Sequence, residues 1–570
     1  MEQKQHQLKD VYEPSTGIAA APSVVLELRH AAQVSQLTGP TPPASVLLHL
    51  DSSLNVVTED GSGLASLPEA IERLCVRVIP AFVVHDEATA TALGSWLQQQ
   101  ELIDLFVVST QPGLVSQLKK AHALIRGVLD CRAWPERQLL ELRREANRHH
   151  ARVVLVSQEQ ASRAAVGRLQ RLLMTVWVAE SPNATHPRAN QFNLVATGAN
   201  AIVTRDSDSL IDVLQSEFPA DRPTLVRKPL VIGHRGIPFL APENTLAGAL
   251  LAYEHGAAMI ESDIHLSKDG EVIIHHDDSL ERTTTGSGAL RELSASELAT
   301  LKANRQFPTE FPEAGIPTLR EYLAAFRDLD VVHVIEIKAD DPELPAKAAA
   351  LVQEFDAADQ VVFISFHAEQ LKRLREALPG MSTGFLTLGL TSESEPLASL
   401  HRVLETIEPL DSTYNPFVLG LGPAFVKAAR HRGITIWPWT FKDQESFVNM
   451  LLAGTGGLTT DATHLSGSWA VGINSPGPLS LCVGESLRLN ATIERQDRSA
   501  SAIDPEVSVL EGKQLLRADG SVLTGLAPGE AWVTLRYWQD VTGDKGYYVY
   551  SPAVRVDIRD CPGGSEPSAV

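Results

Sequence analysis

Cysteine is scarce: four in 570 residues, with no two spaced as a CxxC pair, which argues against a thiolate metal site. Positive charge is also short. Lys and Arg number 49 against 70 Asp and Glu, a net charge of −21. Such a surface repels a phosphate polymer and an anionic lipid sheet, so no nucleic-acid partner is expected. A small anion held by a few local cations is still compatible with it. No apolar run reaches the roughly 18 residues a membrane-spanning helix needs. The opening MEQKQHQLKD is too polar for a signal peptide. That leaves a cytoplasmic protein, or one whose export signal has been removed.

What the chain does have is alternation. From Ser45 onward, short β-branched runs such as VLLHL, VRVIPAFVV, DLFVVST and RVVLVS take turns with helical periodicity. Strand–helix alternation calls for a parallel sheet with crossover helices, and six or more repeats suggest a closed (β/α) barrel. The expected organisation is a lead-in over 1–43 and a first, degenerate barrel over 44–220. After a Pro-containing linker, Pro219 to Pro229, a second barrel follows over 229–468. A small β-sandwich over 471–561 and a flexible tail over 562–570 complete the chain. The two halves end alike: Gly198 lies six residues before Thr204, and Gly454 six before Thr460. The next residue differs, Arg205 in the first and Asp461 in the second, and duplication is the favoured reading.

Cys75 and Cys131 sit in apolar surroundings and read as buried thiols. Cys482 and Cys561 bracket the last domain. A bridge between them would staple it and imply an oxidising compartment, the alternative being two more free thiols.

Chemistry concentrates in the second barrel. Glu261 and Asp263 are two apart on one strand, so they share a face. Glu336 and Lys338 repeat the arrangement on a later strand. Carboxylates meeting at the C-terminal rim would repel one another without a cation, and an all-oxygen set suits Ca²⁺ or Mg²⁺ better than zinc. A surface strand facing water is the blander reading of either pair, weakened by the apolar strands AMIESDI and HVIEIK around them. His234 and His276 follow apolar strands, and histidine, whose unperturbed pKa lies near neutrality, is suited to serve as general base and acid. Arg235 and Lys338 can hold an anionic oxygen. Together these form a kit for attack at phosphorus.

The runs GHRGIPFLAPENT, ESDIHLSKDGEVIIHHDDSLERTTTGSG, IPTLREYL, EIK, ISFH, WT and TTD resemble the glycerophosphodiester phosphodiesterases over Gly233 to Asp461. The resemblance implies a TIM barrel with its site at the C-terminal face and one divalent cation, Ca²⁺ or Mg²⁺, on Glu261, Asp263 and Glu336. It implies His234 and His276 as the acid/base pair, Arg235 and Lys338 as phosphate contacts, and Trp439 as an aromatic substrate contact. Glu243 would stand close behind, or serve only as a charge at a helix N-terminus. Trp437 reads as core, and His275 faces the other way.

The implied reaction is metal-dependent hydrolysis of a glycerophosphodiester to sn-glycerol 3-phosphate and an alcohol. The glycerol 2-hydroxyl would attack through a cyclic phosphate, or metal-bound water directly. The substrate would be a small-molecule or lipid-derived diester. Alternatives are a lysophospholipase D-like activity, a glycerol-phosphate wall-polymer hydrolase and, from another class, a non-catalytic surface-binding protein. The first barrel lacks HRG, ExD and ExK, and is expected to be inactive, shaping the neighbouring site, binding a polymer, or only stabilising. The last domain resembles a bacterial immunoglobulin-like module through GESLRLNATI and LTGLAPGEAWVTLRY, which would permit contact with a cell wall or surface. The expected location is outside a bacterial cell or in its envelope, with the cytoplasm as the alternative.

Overall fold

The computed structural model describes residues 8–135 and 139–561; the expected tail, 562–570, lies outside them. The first half is a closed barrel of eight parallel strands in sequence order: Ser23–Glu27, Ser45–His49, Ile79–Val83, Phe106–Ser109, Arg126–Asp130, Ala151–Ser157, Thr175–Ala179 and Ala201–Thr204. The first strand pairs with both the second and the last. The lead-in assigned to 1–43 is therefore corrected, because Ser23–Glu27 closes this barrel. The segment SVVLE is fully buried, and the helix that follows it, Val34–Thr38, is five residues long, too short to show a helical period that would mark the strand as part of the alternation.

The second barrel runs Leu230–Gly233, Met259–Leu266, Val332–Ile337, Val361–Ser365, Thr383–Thr387 and Ser412–Pro416, and ends with Gly457–Thr460. Its remaining position is an irregular stretch containing Pro438, which cannot donate a ladder hydrogen bond. The stretch closes the ring through parallel bridges from Ile436 to Tyr414, Trp439 to Phe417 and Phe441 to Thr460. A short arm, Val272–Ile274, folds back antiparallel on Met259–Leu266. In both barrels the last strand is reached through a left-handed glycine after a helix, Gly198 at φ +75° and Gly454 at φ +92°. A Cβ at Gly454 would stand 2.0 Å from the Ala19 carbonyl oxygen. Conformation and space both demand glycine there.

The barrels meet floor to floor, at the N-terminal ends of their strands. Thr175 Oγ1 donates to the Gly433 carbonyl at 2.8 Å, and Ser23 Oγ meets His431 Nδ1 at 3.0 Å. Arg143, fully buried, donates to the Ala358 and Val361 carbonyls at 2.6 and 3.0 Å and to Ser382 Oγ at 3.0 Å. Asp104 accepts from Arg126 Nη2 at 2.9 Å, from Arg432 Nε and Nη2 at 3.0 and 2.7 Å, and from the Lys9 amide at 2.7 Å. Glu408 pairs with Lys119 and Arg152, and Asp411 with Arg375 and His150. The two C-terminal mouths consequently face opposite ways. The expectation that the first barrel could shape the second one's site is set aside on this geometry.

The C-terminal region forms three sheets of antiparallel and mixed strands between Ala470 and Arg559. Linker residues Thr224–Leu225 extend one of them, parallel to Gly546–Tyr550, so the linker is built into the fold. Its core is continuous with the second barrel: Phe447, Leu451 and Leu458 pack in one cluster with Trp469, Ile493, Val533 and Tyr547. Cys482 and Cys561 are bridged, with Cα atoms 5.5 Å apart, while Cys75 and Cys131 are free and buried.

Burial would raise the Asp104 and Asp411 carboxyls, but the cations around each win and hold both below their ordinary value of 3.8. Their contribution is complete above that value and is lost as pH falls through the lower folded-state values. Asp104→Ala is expected to cost about 3–5 kcal/mol by stranding Arg126 and Arg432. Unfolding monitored at pH 7 and at acid pH should show a smaller acid-induced loss in the variant than in the wild type.

Candidate active site

Alternation along each strand of the second barrel carries the inward face from apolar floor to polar mouth. Leu230, Ile232, Met259, Val332, Val334 and Ile364 fill the interior. The next inward positions on the first three strands are His234, Glu261 with Asp263, and Glu336 with Lys338. The mouth opens into a cavity of about 270 Å³ lined by His234, Arg235, Glu261, His276, Glu336, Lys338 and Trp439. An apolar wall of Val334, Ile364, Phe366, Leu386 and Trp437 completes it.

Glu261, Asp263 and Glu336 each bring an oxygen within 4.8 Å of the others, and no other group among the described residues does so. All three are buried. Burial, with Asp263 and Glu336 beside it, pushes the Glu261 carboxyl well above the usual carboxylate range. Burial and Asp263 push Glu336 up to about 7. Asp263 goes the other way: burial raises it, but Arg235, His276 and Lys338 prevail and hold it low. Glu261 Oε1 is buried without a hydrogen-bond partner. Three hard oxygen donors, strained by their own repulsion and holding one orphan oxygen, fit a divalent cation.

The two histidines are each fixed at one nitrogen. His234 Nδ1 meets Asp461 Oδ1 at 2.6 Å, and His276 Nδ1 meets Asp277 Oδ1 at 2.6 Å. Each keeps Nε2 for the cavity. Asp277 accepts from Arg282 Nε at 2.5 Å, and Arg282 forks onto Glu243 at 2.7 and 2.9 Å. Glu243 also accepts from Arg235 Nη1 at 3.1 Å. It thus anchors two arginines rather than capping a helix, a task performed by Thr245, whose Oγ1 accepts from the Gly248 amide. Lys338 Nζ lies 3.1 Å from Glu336 and 3.6 Å from Asp263.

The HRG turn places the Arg235 amide 2.9 Å from Glu261 Oε2, with Arg235 at φ +53°. Gly236 follows at φ +95°, where a Cβ would stand 2.8 Å from the Gly248 backbone. Trp439 donates to the Asn415 carbonyl at 3.0 Å and stands edge-on to Phe366, with ring centroids 5.6 Å apart. Trp437 is buried beneath it, as its core reading requires.

His234, Arg235, Glu261, His276, Glu336, Lys338 and Trp439 line this cavity, and Asp263 and Glu243 stand against them. Those overlooked are the supports. Asn244, at φ +54°, holds Asp263 by two hydrogen bonds of 2.9 and 3.2 Å. Asp277, Arg282, Asn415 and Phe366 also escaped notice. Asn244 and Arg282 lay inside the quoted runs PENT and ERTT, whereas the line from Arg282 through Glu243 to Arg235 crosses three loops and has no sequence period.

The first barrel carries different chemistry at the corresponding positions. Glu27, His49, Asp130 and Arg205 follow its inward residues Val25, Leu47, Val128 and Val203 by two. Arg132 takes Asp130 at 2.7 Å and Glu27 at 3.1 Å, and Arg205 takes Glu59 at 3.1 Å. Burial raises Glu27, but His49, Arg132 and Arg29 outweigh it and hold it at about 2. Glu27 and Asp130 are already paired with arginine.

Residues 234–465 match the model of the glycerophosphoryl diester phosphodiesterase family. A glycerophosphodiester phosphodiesterase of Caldanaerobacter subterraneus is 32% identical over 237 residues, 41% of this chain and 94% of the relative. A Bacillus subtilis glycerophosphodiester phosphodiesterase is 28% identical over 253 residues, 41% of this chain and 84% of that one. Among solved structures, a glycerophosphodiester phosphodiesterase of Agrobacterium tumefaciens is 28% identical. It covers 41% of this chain and 97% of its own, at a TM-score of 0.36.

Glu261→Gln should raise stability in chelator, by relieving the burial and the repulsion from Asp263 and Glu336 that push this carboxyl above the usual carboxylate range. Added Ca²⁺ or Mg²⁺ should raise the melting temperature of the wild type and leave the variant nearly unmoved. A cation response equal in both proteins would contradict the assignment.

Proposed function

The chain belongs to the glycerophosphodiester phosphodiesterase family, and on that premise we propose that it hydrolyses glycerophosphodiesters to sn-glycerol 3-phosphate and an alcohol. The carrying observation is the convergence of three buried carboxylates and two carboxylate-fixed histidines on one cavity. Glu261, Asp263 and Glu336 would hold one divalent cation, Ca²⁺ or Mg²⁺, whose charge when bound stabilises the negative charge gathering on phosphate oxygen.

The remaining work falls to side chains. Arg235 and Lys338 grip the non-bridging oxygens and orient phosphorus within the cavity. Of the two Nε2 atoms, one accepts the proton of the attacking hydroxyl and the other gives a proton to the departing alcohol oxygen. Asp461 and Asp277 keep each imidazole in the tautomer and orientation this needs, and stabilise the imidazolium form. Hydrolysis of glycerophosphocholine should release glycerol 3-phosphate, stop in EDTA and return with Ca²⁺ or Mg²⁺. His276→Ala should lower kcat by about 10²–10⁴-fold. Release that survives complete chelation would overturn the metal assignment.

A lysolipid substrate is the second reading, supported by the apolar wall and by the rim. Leu388 and Leu419 are 71% and 70% exposed, Phe239 49%. All three lie on loops that follow barrel strands. The Phe239 loop leaves the first strand and the Leu388 loop the fifth, so they stand on opposite sides of the mouth. Leu388→Asp is expected to raise KM for a lysophospholipid several-fold and leave glycerophosphocholine turnover unchanged. Equal effects on both would remove this reading. The Cys482–Cys561 bridge supports placing the protein in an oxidising compartment, outside the cell or in its envelope.

A further inference from the structure

A second cavity, of about 450 Å³, opens where the two barrels and the C-terminal region meet. Its volume falls within the range of small-molecule sites, and domain junctions are where such sites often form. Its walls carry Arg163, Arg168 and Arg171 from the Arg163–Arg171 helix of the first barrel, Arg227 and Lys228 from the linker, and Arg498 from the C-terminal region. Two carboxylates face these six cations. Asp330 takes Arg171 at 2.8 Å, and Glu494 takes Lys228 at 2.9 Å. Arg163, Arg168, Arg227 and Arg498 have no carboxylate within ion-pair distance among the described residues.

Four guanidinium groups around one cavity, none in direct contact with a carboxylate among the described residues, are a costly arrangement, and in a chain of net charge −21 they are not a reflection of average composition. Interdomain packing accounts for part of their bonding. Arg163 donates to the Val471 carbonyl, Arg227 to the Ala199 carbonyl at 3.1 Å, and Arg498 to the Tyr253 and Ala257 carbonyls at 2.7 and 3.0 Å. It leaves the rest unused: Arg163 Nε and Arg227 Nε are buried without partners, and Arg168 is exposed and makes no hydrogen bond or ion pair among the described residues. Burial and the like charge of Arg430 press the Arg227 guanidinium down to about 9, so no resident anion offsets it.

We propose that this junction is a binding site for a phosphate-bearing anion, a phosphomonoester or phosphodiester. Forked guanidinium donors match phosphate geometry, and a multiply charged oxyanion balances several cations at once. The site is distinct from the catalytic mouth, because its walls include Leu230, the first residue of the first strand, and Ala258 and Asp330, which precede the second and third, all at the floor of the second barrel. The proposal stands whether or not the catalytic reading does.

Calorimetric titration of the full chain with sn-glycerol 3-phosphate at low salt should give two equivalents bound. Arg168→Glu, at an exposed position, and separately Arg227→Met should each weaken one of them by at least tenfold, with glycerophosphocholine turnover within twofold of wild type. Lys338→Met should weaken the other, which assigns that equivalent to the catalytic mouth and separates a failure there from a failure of the junction site. Inorganic phosphate in a parallel titration identifies what is read. Two equivalents mean that the phosphate group suffices, and one means that the junction also requires the glycerol moiety. A single equivalent of glycerol 3-phosphate in the wild type, untouched by Arg168→Glu and Arg227→Met, would overturn the proposal.

Discussion

Two barrel floors pressed together across buried ion pairs set the geometry of everything else. A barrel floor exposes the N-terminal ends of eight strands, and here each floor covers the other. Desolvating so many charges is tolerable only where each is closely matched. Asp104 shows how: its two oxygens accept from two arginines and a backbone amide, which leaves little of the carboxylate unsatisfied. Once the floors are joined, both mouths must face outward. Neither can contribute a side chain to the other, and the first barrel acts on the second as a foundation. The C-terminal sheets extend the same logic by sharing a core with the second barrel, so they are part of this foundation and not a tethered module.

At the catalytic mouth the balance is deliberately incomplete. Glu261 and Glu336 are raised and Asp263 is lowered, although all three lie in one cluster. The difference follows from where the cations stand. Arg235 and Lys338 both reach toward Asp263, at 3.6 Å each, and Asn244 adds hydrogen bonds to it. Glu261 receives one backbone amide and keeps a bare oxygen. The protein supplies enough positive charge to hold the trio in place and too little to neutralise it. That shortfall is what would give a divalent cation affinity for the site.

Much of this was legible in the sequence because strand periodicity is a strong local signal. Two residues per repeat put Glu261 with Asp263 on one face, and short spacings kept His234 by Arg235. The barrel alternation was legible for the same reason. What escaped was non-local or irregular. The strand Ser23–Glu27 has no neighbouring repeat to announce it, since its partners are Ala201–Thr204 and Ser45–His49. The stretch around Pro438 closes a barrel without a regular ladder. Arg143 and Arg432 sit on strongly polar helical and loop segments, where an arginine ordinarily faces water, yet both are fully buried. Only the opposing floor explains them.

The same comparison sets the first barrel apart from the second. Its mouth is as polar as the second, and it has two histidines in contact, His49 and His85, at 2.9 Å. The distinction lies in the sign of what stands beside each carboxylate. Where the second barrel places His234 and Asp461, the first places Glu27 and Arg205, and Arg132 reaches both Glu27 and Asp130. An arginine remains charged throughout the physiological range, so it occupies these carboxylates permanently. A cation would have to displace it from Glu27 and Asp130. If the two barrels descend from one ancestor, exchanging a carboxylate for arginine at the last strand would end metal chemistry while leaving the barrel stably folded. The first barrel was then free to serve as the floor on which the second is built.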